Sequence, residues 1–277
     1  MIRLLFYPVK TNIFEKLERL QKTLRTMKRV AIAFSGGVDS AFLVKIAYDV
    51  LGANVLAITA VSPTYPKREL RQAEYLAQTI GVPHIIISSE EMKNERFSRN
   101  LPNRCYYCKK ELFSKIQKIA SEKKLDYILD GSTADDTFDY RPGAKALKEM
   151  DVRSPLKEVG LTKQEIRELS RSMRLESWDK PASACLASRF PYGVEITRAR
   201  LKQVEQAEDF LHSLGIRQVR VRYHHELARI EIAKDEFQKI IRYSNDIVKN
   251  FKKLGFAYIA LDIEGYRTGS LNEVLKA

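Results

Sequence analysis

Apolar positions recur along the chain in two periods, and the alternation between them predicts the fold. Residues 12–25 place Ile13, Leu17, Leu20 and Leu24 at helical spacing, with Asn12 and Glu15 disposed as a capping box. The β-branched run RVAIAF (29–34) then stops at SGGVDS, and from Ser40 the pattern AFLVKIAYDVL turns helical. Strand-like runs follow at 54–60, 84–88 and 127–130, with helical patterns over 67–80 and about 111–123 between them. Repeated strand–helix–strand units with near-continuous apolar strands predict an α/β fold, a doubly wound parallel sheet covered by helices on both faces. Ligands of such sheets bind beyond the carboxyl ends of the strands.

The pattern changes after a helix that Thr162 and Glu165 cap and that runs to about Met173. WDKPASACLASRFPYG (178–193) has no clean period and reads as an ordered loop at a seam. Beyond it come a helix over 198–214, strands at 217–224 and 227–233, a helix over 234–254 and a strand at 256–262. We therefore expect two domains, 1–176 and a smaller α+β domain, 177–277. In VRVRYH, strand alternation puts Val219 and Val221 on one face and Arg220 with Arg222 on the other; ARIEI sets Arg229 and Glu231 opposite Ile230 and Ile232. An arginine fork on such a face suits a phosphate, although the face could equally be a solvated one.

Composition narrows the class. Of the 277 residues, 44% are hydrophobic and 30% charged, as in a globular protein rather than a disordered one. The apolar run LLFYPV near the start is too short for a secretory leader or a membrane helix, so a cytoplasmic protein is expected. Three cysteines make a poor disulfide framework, which points to a reducing compartment and to thiols with a chemical role. The net charge of +13 favours anionic ligands, nucleic acid or small phosphorylated molecules. Basic, Lys- and Glu-rich surfaces also occur in proteins from hot environments.

SGGVDS lies between a buried strand and a helix, where two glycines can turn backbone N–H groups into an anion nest and the helix adds its positive end. Ser35 and Ser40 can donate hydroxyl hydrogen bonds. Asp39 beside a phosphate nest is repulsive unless a cation such as Mg2+ stands between them. The Walker phosphate pattern is absent. GSTADDTFDYRPG, which opens at Gly131, adds Asp135, Asp136, Asp139 and Arg141 at the same carboxyl edge, as ligand contacts or as turn and cap residues.

NRCYYCKKELF holds Cys105 and Cys108, and Cys185 stands far downstream. On the first turn of a helix, i and i+3 spacing puts both sulfurs on one face, about 5–6 Å apart at Cβ. Three thiolates fit an iron–sulfur cluster with one iron left open. Half a zinc site, a redox pair, or a Cys185 that is simply a core residue remain other readings.

SGGVDS matches the pyrophosphatase loop of enzymes that split ATP into AMP and pyrophosphate. Together with NRCYYCKKELF, GSTADDTFDYRPG, KPASACLASRFPYG and LDIEGYRTGSLNE, it makes the chain resemble the LarE family of ATP-dependent sulfur transferases over nearly its whole length. The resemblance implies adenylation of a carboxylate on a pyridinium dicarboxylate mononucleotide and its conversion to a thiocarboxylate, in making a nickel-pincer nucleotide cofactor. It implies ATP and Mg2+ on Ser35, Gly36, Gly37, Val38, Asp39, Ser40 and Gly131, with Asp39 and Cys185 catalytic. Arg189, Arg220 and Glu231 are the implied substrate contacts, and a homo-oligomer is the implied assembly. Some members give up the sulfur of a cysteine matching Cys185. This chain adds Cys105 and Cys108, as do members thought to hold a [4Fe–4S] cluster on three cysteines, so external sulfide or another donor becomes the expected sulfur source. The alternatives are a tRNA-thiolating enzyme, against which the missing RNA-binding module argues, and a non-catalytic ATP and cluster sensor.

Overall fold

The computed structural model describes residues 9–137 and 142–275. They form two compact units, Met1–Val61, Lys67–Ser89 and Cys105–Lys180 in the first, and Ser62–Pro66, Glu90–Arg104 and Pro181–Ala277 in the second.

The first unit is built on a four-stranded parallel sheet of β1 (Val30–Ala33), β2 (Val55–Val61), β3 (His84–Ser88) and β4 (Tyr127–Leu129), in the order β3-β2-β1-β4. The strands read as continuous apolar runs because each face has its own core. Val30, Ile32, Val55 and Ala57 pack with helices Val9–Met27, Val38–Leu51 and Lys163–Ser172, through residues such as Leu24, Phe42 and Ile166. Ala31, Leu56 and Ile58 pack on the opposite face with Phe113 and Ile116 of helix Arg104–Glu122. Period-2 alternation between two buried layers is the signature of a doubly wound sheet.

The chain moves outward from β1 to β2 to β3 and then crosses to β4 on the other side of β1. That reversal makes the gap between β1 and β4 a topological switch point, where loops diverge and leave a crevice. SGGVDS leaves β1 there, and the segment beginning at Asp130 leaves β4.

The capping box of helix Lys163–Ser172 forms as expected, Thr162 accepting from Glu165 N and Glu165 from Thr162 N. The first helix differs: it starts at Val9, so Asn12 lies inside it rather than at its cap. The thiol helix starts at Arg104, seven residues ahead of the 111 expected, and Pro142–Glu149 is a further helix with proline at its first position, where the missing N–H costs nothing.

The second unit holds a three-stranded sheet, β5 (Val219–His224), β6 (Leu227–Ile232) and β7 (Tyr258–Leu261), with β5 and β6 antiparallel and β6 and β7 parallel. Its arginine face is largely covered, with only Arg229 part-exposed. Arg220, Arg222 and Glu231 are all buried, as are Val219, Val221, Ile230 and Ile232 on the other side. The helix expected over 234–254 is two, Phe237–Arg242 and Ser244–Lys253. The break falls at Tyr243, and Ser244-Asn245-Asp246, residues that favour helix starts over helix interiors, form the first turn of the second helix.

Candidate active site

Gly36 opens the loop after β1 at φ +64°, and a Cβ there would stand 2.9 Å from the Cβ of Ala73. Position 36 is therefore restricted to glycine twice over, by backbone conformation and by space. Gly37 is the N-cap of helix Val38–Leu51 and receives no side-chain cap, which leaves the N–H groups of that first turn to a ligand. Ser40 is buried; its hydroxyl donates to the Gly37 carbonyl at 3.1 Å and lies 3.2 Å from the Ser35 hydroxyl, bracing the loop from beneath. Gly131 lies across the switch point, where a Cβ would press to 3.1 Å from Ser40 N and 3.2 Å from its Cα. The loop is thus held between two strand ends by close backbone approach, a cradle suited to a triphosphate.

Asp39 lies on the first turn of that helix. Burial pushes its carboxyl up to about 6; Lys163 and Arg167 oppose the rise, and Asp136 and Asp135 reinforce it. A carboxylate so stressed beside an anion nest is chemically suited to Mg2+. Asp135 and Asp136 have local work: Asp135 accepts the Lys163 N–H at 2.6 Å, and Asp136 accepts the Thr133 N–H at 2.9 Å and pairs with the Lys163 ammonium at 3.2 Å. Asp139 and Arg141 lie outside the described residues.

One residue of this site gave no signal in the sequence. Lys180 is buried and donates to the Gly36 carbonyl at 2.9 Å while pairing with buried Glu69 at 2.8 Å. Because a peptide's C=O and N–H point opposite ways, fixing the Gly36 carbonyl on Lys180 aims the Gly37 N–H away from it. Removing one partner of a buried pair costs about 3–5 kcal/mol. Lys180→Met is expected to lower the melting temperature and raise KM for ATP. The double variant Lys180→Met/Glu69→Met should recover much of the stability, since the uncompensated carboxylate is gone, but not the ATP affinity. Recovery of both would mean that Lys180 serves folding alone.

No disulfide joins Cys105, Cys108 and Cys185, which divide between the units. Cys105 and Cys108 ride the first turn of helix Arg104–Glu122, which carries no acidic residue there, and Cys185 is exposed in a loop of the second unit. Thiolates fit an iron–sulfur cluster in kind. Among the described residues, no group of three or more His, Cys, Asp or Glu is placed to hold a metal ion.

In the second unit, Arg189 is fully buried beneath the Cys185 loop. Its Nε and Nη2 donate to Glu208 at 2.8 and 2.9 Å, and its Nη1 to the carbonyls of Ala184 and Cys185 at 2.8 and 3.0 Å. Burial alone would lower its pKa, and Glu208 more than offsets that, holding it above the ordinary value. The Leu186 N–H donates to the Thr64 carbonyl at 2.8 Å, so the backbone on both sides of the Cys185 sulfur is fixed. Glu231 is also fully buried, accepting from Arg222 Nε and Nη2 at 2.9 and 2.7 Å and from Arg229 at 2.9 Å. Arg220 differs from these. It donates to the carbonyls of Val219 and Ala182 and stands 5.3 Å from the Tyr266 ring centre, and among the described residues no carboxylate is in ion-pair contact with it. Burial, then the like charge of Arg189, pushes it down to about 10, still a cation at neutral pH and one in want of an anion.

A parallel sheet, a glycine loop at its switch point and a stressed aspartate on the following helix define a nucleotide-binding domain of the ATP pyrophosphatase, or PP-loop, class. Residues 17–231 match the asparagine synthase family. The chain is 47% identical over 262 residues to an uncharacterized protein of Synechocystis, covering 94% of this chain and 98% of that one. It is 37% identical over 261 residues to the pyridinium-3,5-bisthiocarboxylic acid mononucleotide synthase of Lactiplantibacillus plantarum, covering 94% and 95%. A more distant relative, the tRNA-specific 2-thiouridylase MnmA of a Bradyrhizobium, is 27% identical over 65% of this chain and 55% of its own. The chain belongs to the LarE family of sulfur-inserting PP-loop enzymes. No helix among the described residues is long and apolar enough to cross a membrane.

Proposed function

We propose that this protein is an ATP-dependent sulfur transferase acting on a pyridinium dicarboxylate mononucleotide. The observation that carries the reading is the 37% identity, end to end, with a bisthiocarboxylic acid mononucleotide synthase. The loop of Ser35, Gly36, Gly37, Val38, Asp39, Ser40 and Gly131 receives the triphosphate, and Asp39 would help hold Mg2+, which would offset the phosphate charge. A substrate carboxylate oxygen attacks the α-phosphorus and pyrophosphate leaves, giving an acyl adenylate. A sulfur nucleophile then adds to the carbonyl carbon, the C–O bond breaks, and AMP departs with the electron pair, leaving a thiocarboxylate. Adenylation turns a poor leaving group into a good one, which is its whole purpose here.

Arg220 takes the substrate phosphate, since it is a buried cation without a carboxylate partner. Arg189 and Glu231 act through other residues, Arg189 by fixing the backbone at Cys185 and Glu231 by holding Arg222 and Arg229 in place. The sulfur comes from outside the protein. Cys105, Cys108 and Cys185 would hold a [4Fe–4S] cluster, which would supply sulfide for the transfer. The protein works as a cytoplasmic homo-oligomer.

The test is product analysis with the dicarboxylate mononucleotide, ATP, Mg2+ and sulfide, run on anaerobically purified protein whose iron and acid-labile sulfide have been measured. AMP, pyrophosphate and thiocarboxylate are expected, with about four iron per chain in the wild type and little in Cys105→Ala. Full multi-turnover transfer by Cys105→Ala would end the cluster reading. AMP formation stimulated by tRNA instead of the mononucleotide would favour the thiouridylase alternative, and binding of ATP without AMP release a sensor.

A further inference from the structure

The direction of the Cys185 side chain is set by the two peptide planes that flank its Cα, because each plane is rigid and together they fix the Cα–Cβ bond. In the plane before it, the Ala184 carbonyl accepts from Arg189 Nη1 at 2.8 Å. In the plane after it, the Cys185 carbonyl accepts from Arg189 Nη1 and from the Ser188 N–H, both at 3.0 Å. The opposite end of that second plane, the Leu186 N–H, donates to the Thr64 carbonyl at 2.8 Å. This last bond leaves the loop for a distant stretch of chain, so whatever holds Thr64 also holds Cys185.

Thr64 belongs to a turn directly after β2. The Tyr65 N–H donates to the Ser62 carbonyl at 3.0 Å, with Pro63 at the second position, where its fixed φ suits a turn. A buried carboxylate pins that turn. Glu91 is 2% exposed, and its Oε1 accepts from the Thr64 hydroxyl at 2.9 Å and from the Ser62 hydroxyl as well. The Ser62 hydroxyl in turn accepts the Thr64 N–H at 3.1 Å. Hydrogen bonds to a charged acceptor are about twice as strong as neutral ones, so Thr64 is gripped firmly by both its hydroxyl and its amide. The same segment holds the far end of the cysteine loop, where Asn100 Nδ2 donates to the carbonyls of Phe190 at 3.1 Å and Pro191 at 2.8 Å. All these residues lie in the second unit.

We propose that Glu91 is a positioning residue for sulfur transfer: through the Ser62 and Thr64 hydroxyls it holds the Thr64 carbonyl, and through that carbonyl the Leu186 N–H and the aim of Cys185. Arg189 fixes the carbonyl side of the same frame, so the two residues hold the cysteine from opposite ends of one peptide. The anchoring stands on the hydrogen bonds alone. Its consequence for catalysis rests on the sulfur-transfer reading, in which Cys185 takes part.

Thr64→Val cuts this chain of contacts while keeping the side chain's shape, and Thr64→Ser retains the hydroxyl; both are compared with the wild type as full chains. Hydrogen exchange at the Leu186 amide should quicken about tenfold in Thr64→Val, the loss of one hydrogen bond to a charged acceptor. It should stay near the wild-type rate in Thr64→Ser, and the amides of the β5–β6 ladder should not change in either variant. In assays with the dicarboxylate mononucleotide, ATP, Mg2+ and sulfide, thiocarboxylate formed per AMP should fall about tenfold in Thr64→Val, since misplacing a reacting group by about 1 Å can cost as much as 100-fold. Thr64→Ser should recover it. Both products are measured in one sample, so a loss of folded protein cancels from the ratio, and a merely structural role would leave the ratio unmoved. Glu91→Ala should act in the same direction and add little to Thr64→Val in the double variant, as expected of residues in one network; should Glu91→Ala fail to fold, the Thr64 pair still decides. Unchanged exchange at Leu186 in Thr64→Val would overturn the anchor. Faster exchange with an unchanged ratio would overturn the positioning role. A wild type that forms no thiocarboxylate would sink the sulfur-transfer reading instead, and exchange at Leu186 would still decide whether Glu91 anchors the loop.

Discussion

Replacing Cys185 with alanine is expected to leave ATP cleavage nearly intact and to abolish sulfur transfer. On the proposed function, adenylation draws on the loop after β1, Asp39 and Lys180, all in the first unit, whereas Cys185 lies in an exposed loop of the second. Its side chain fills no core, so in the cluster-free protein the substitution should change stability by no more than about 0.5 kcal/mol. The transfer step loses its thiol outright, and removal of a group that acts in the reaction itself commonly costs a thousandfold or more, about 4 kcal/mol. AMP should therefore form with the dicarboxylate present while no thiocarboxylate accumulates. The wild type separates the two possible sulfur sources: turnover with sulfide should leave the chain mass unchanged, whereas a sacrificial cysteine would lose the elements of hydrogen sulfide after one cycle. A mass loss at Cys185 in stoichiometric step with product would overturn external delivery. Activity lost together with AMP formation in Cys185→Ala would instead place the thiol in adenylation.

The nucleotide side of the site was legible because its signals are local. A buried strand, two glycines and a helix start are contiguous, and the switch point follows from the order of a few apolar runs. Asp39 stood out by its sign, a negative charge in a nest built for anions. Lys180 was invisible for the opposite reason: it meets Gly36 across 144 residues of chain, and nothing within its own segment says where its ammonium goes. The arginine face of the small sheet was half legible. Alternation correctly separates Arg220 and Arg222 from Val219 and Val221, but a period of two cannot tell a wet face from one covered by a second layer. Burial is what distinguishes Arg189, closed off by Glu208, from Arg220, which has no carboxylate of its own. The boundary expected at 176 could not reveal that residues 62–66 and 90–104 leave the first unit and join the second.

Asp39→Asn should cripple adenylation and, without ligands, make the protein more stable at pH 8. Loss of a preorganised electrostatic contact at the reacting phosphates is worth about 100- to 1,000-fold in rate. The stability effect has the opposite sign. The Asp39 carboxyl titrates at about 6 in the folded chain, against 3.8 ordinarily, chiefly because burial penalises its charged form. The native state therefore binds more protons than the unfolded one between those values, so the group's contribution is full below pH 3.8 and is lost as pH rises through 6. The shift of about two units corresponds to an upper limit of about 3 kcal/mol. Partial exposure reduces that to about 1–2 kcal/mol. Asparagine fills the same space without the charge and escapes the penalty. In thermal melts the variant should exceed the wild type at pH 8, and the gap should close by pH 4. Saturating Mg2+ and ATP should reverse the order at pH 8, because the cation repays in the wild type what burial takes away and the variant cannot hold it as well. A wild type that matches Asp39→Asn at every pH without ligands would show that burial does not stress this carboxylate, and the electrostatic case for Mg2+ at Asp39 would fall with it.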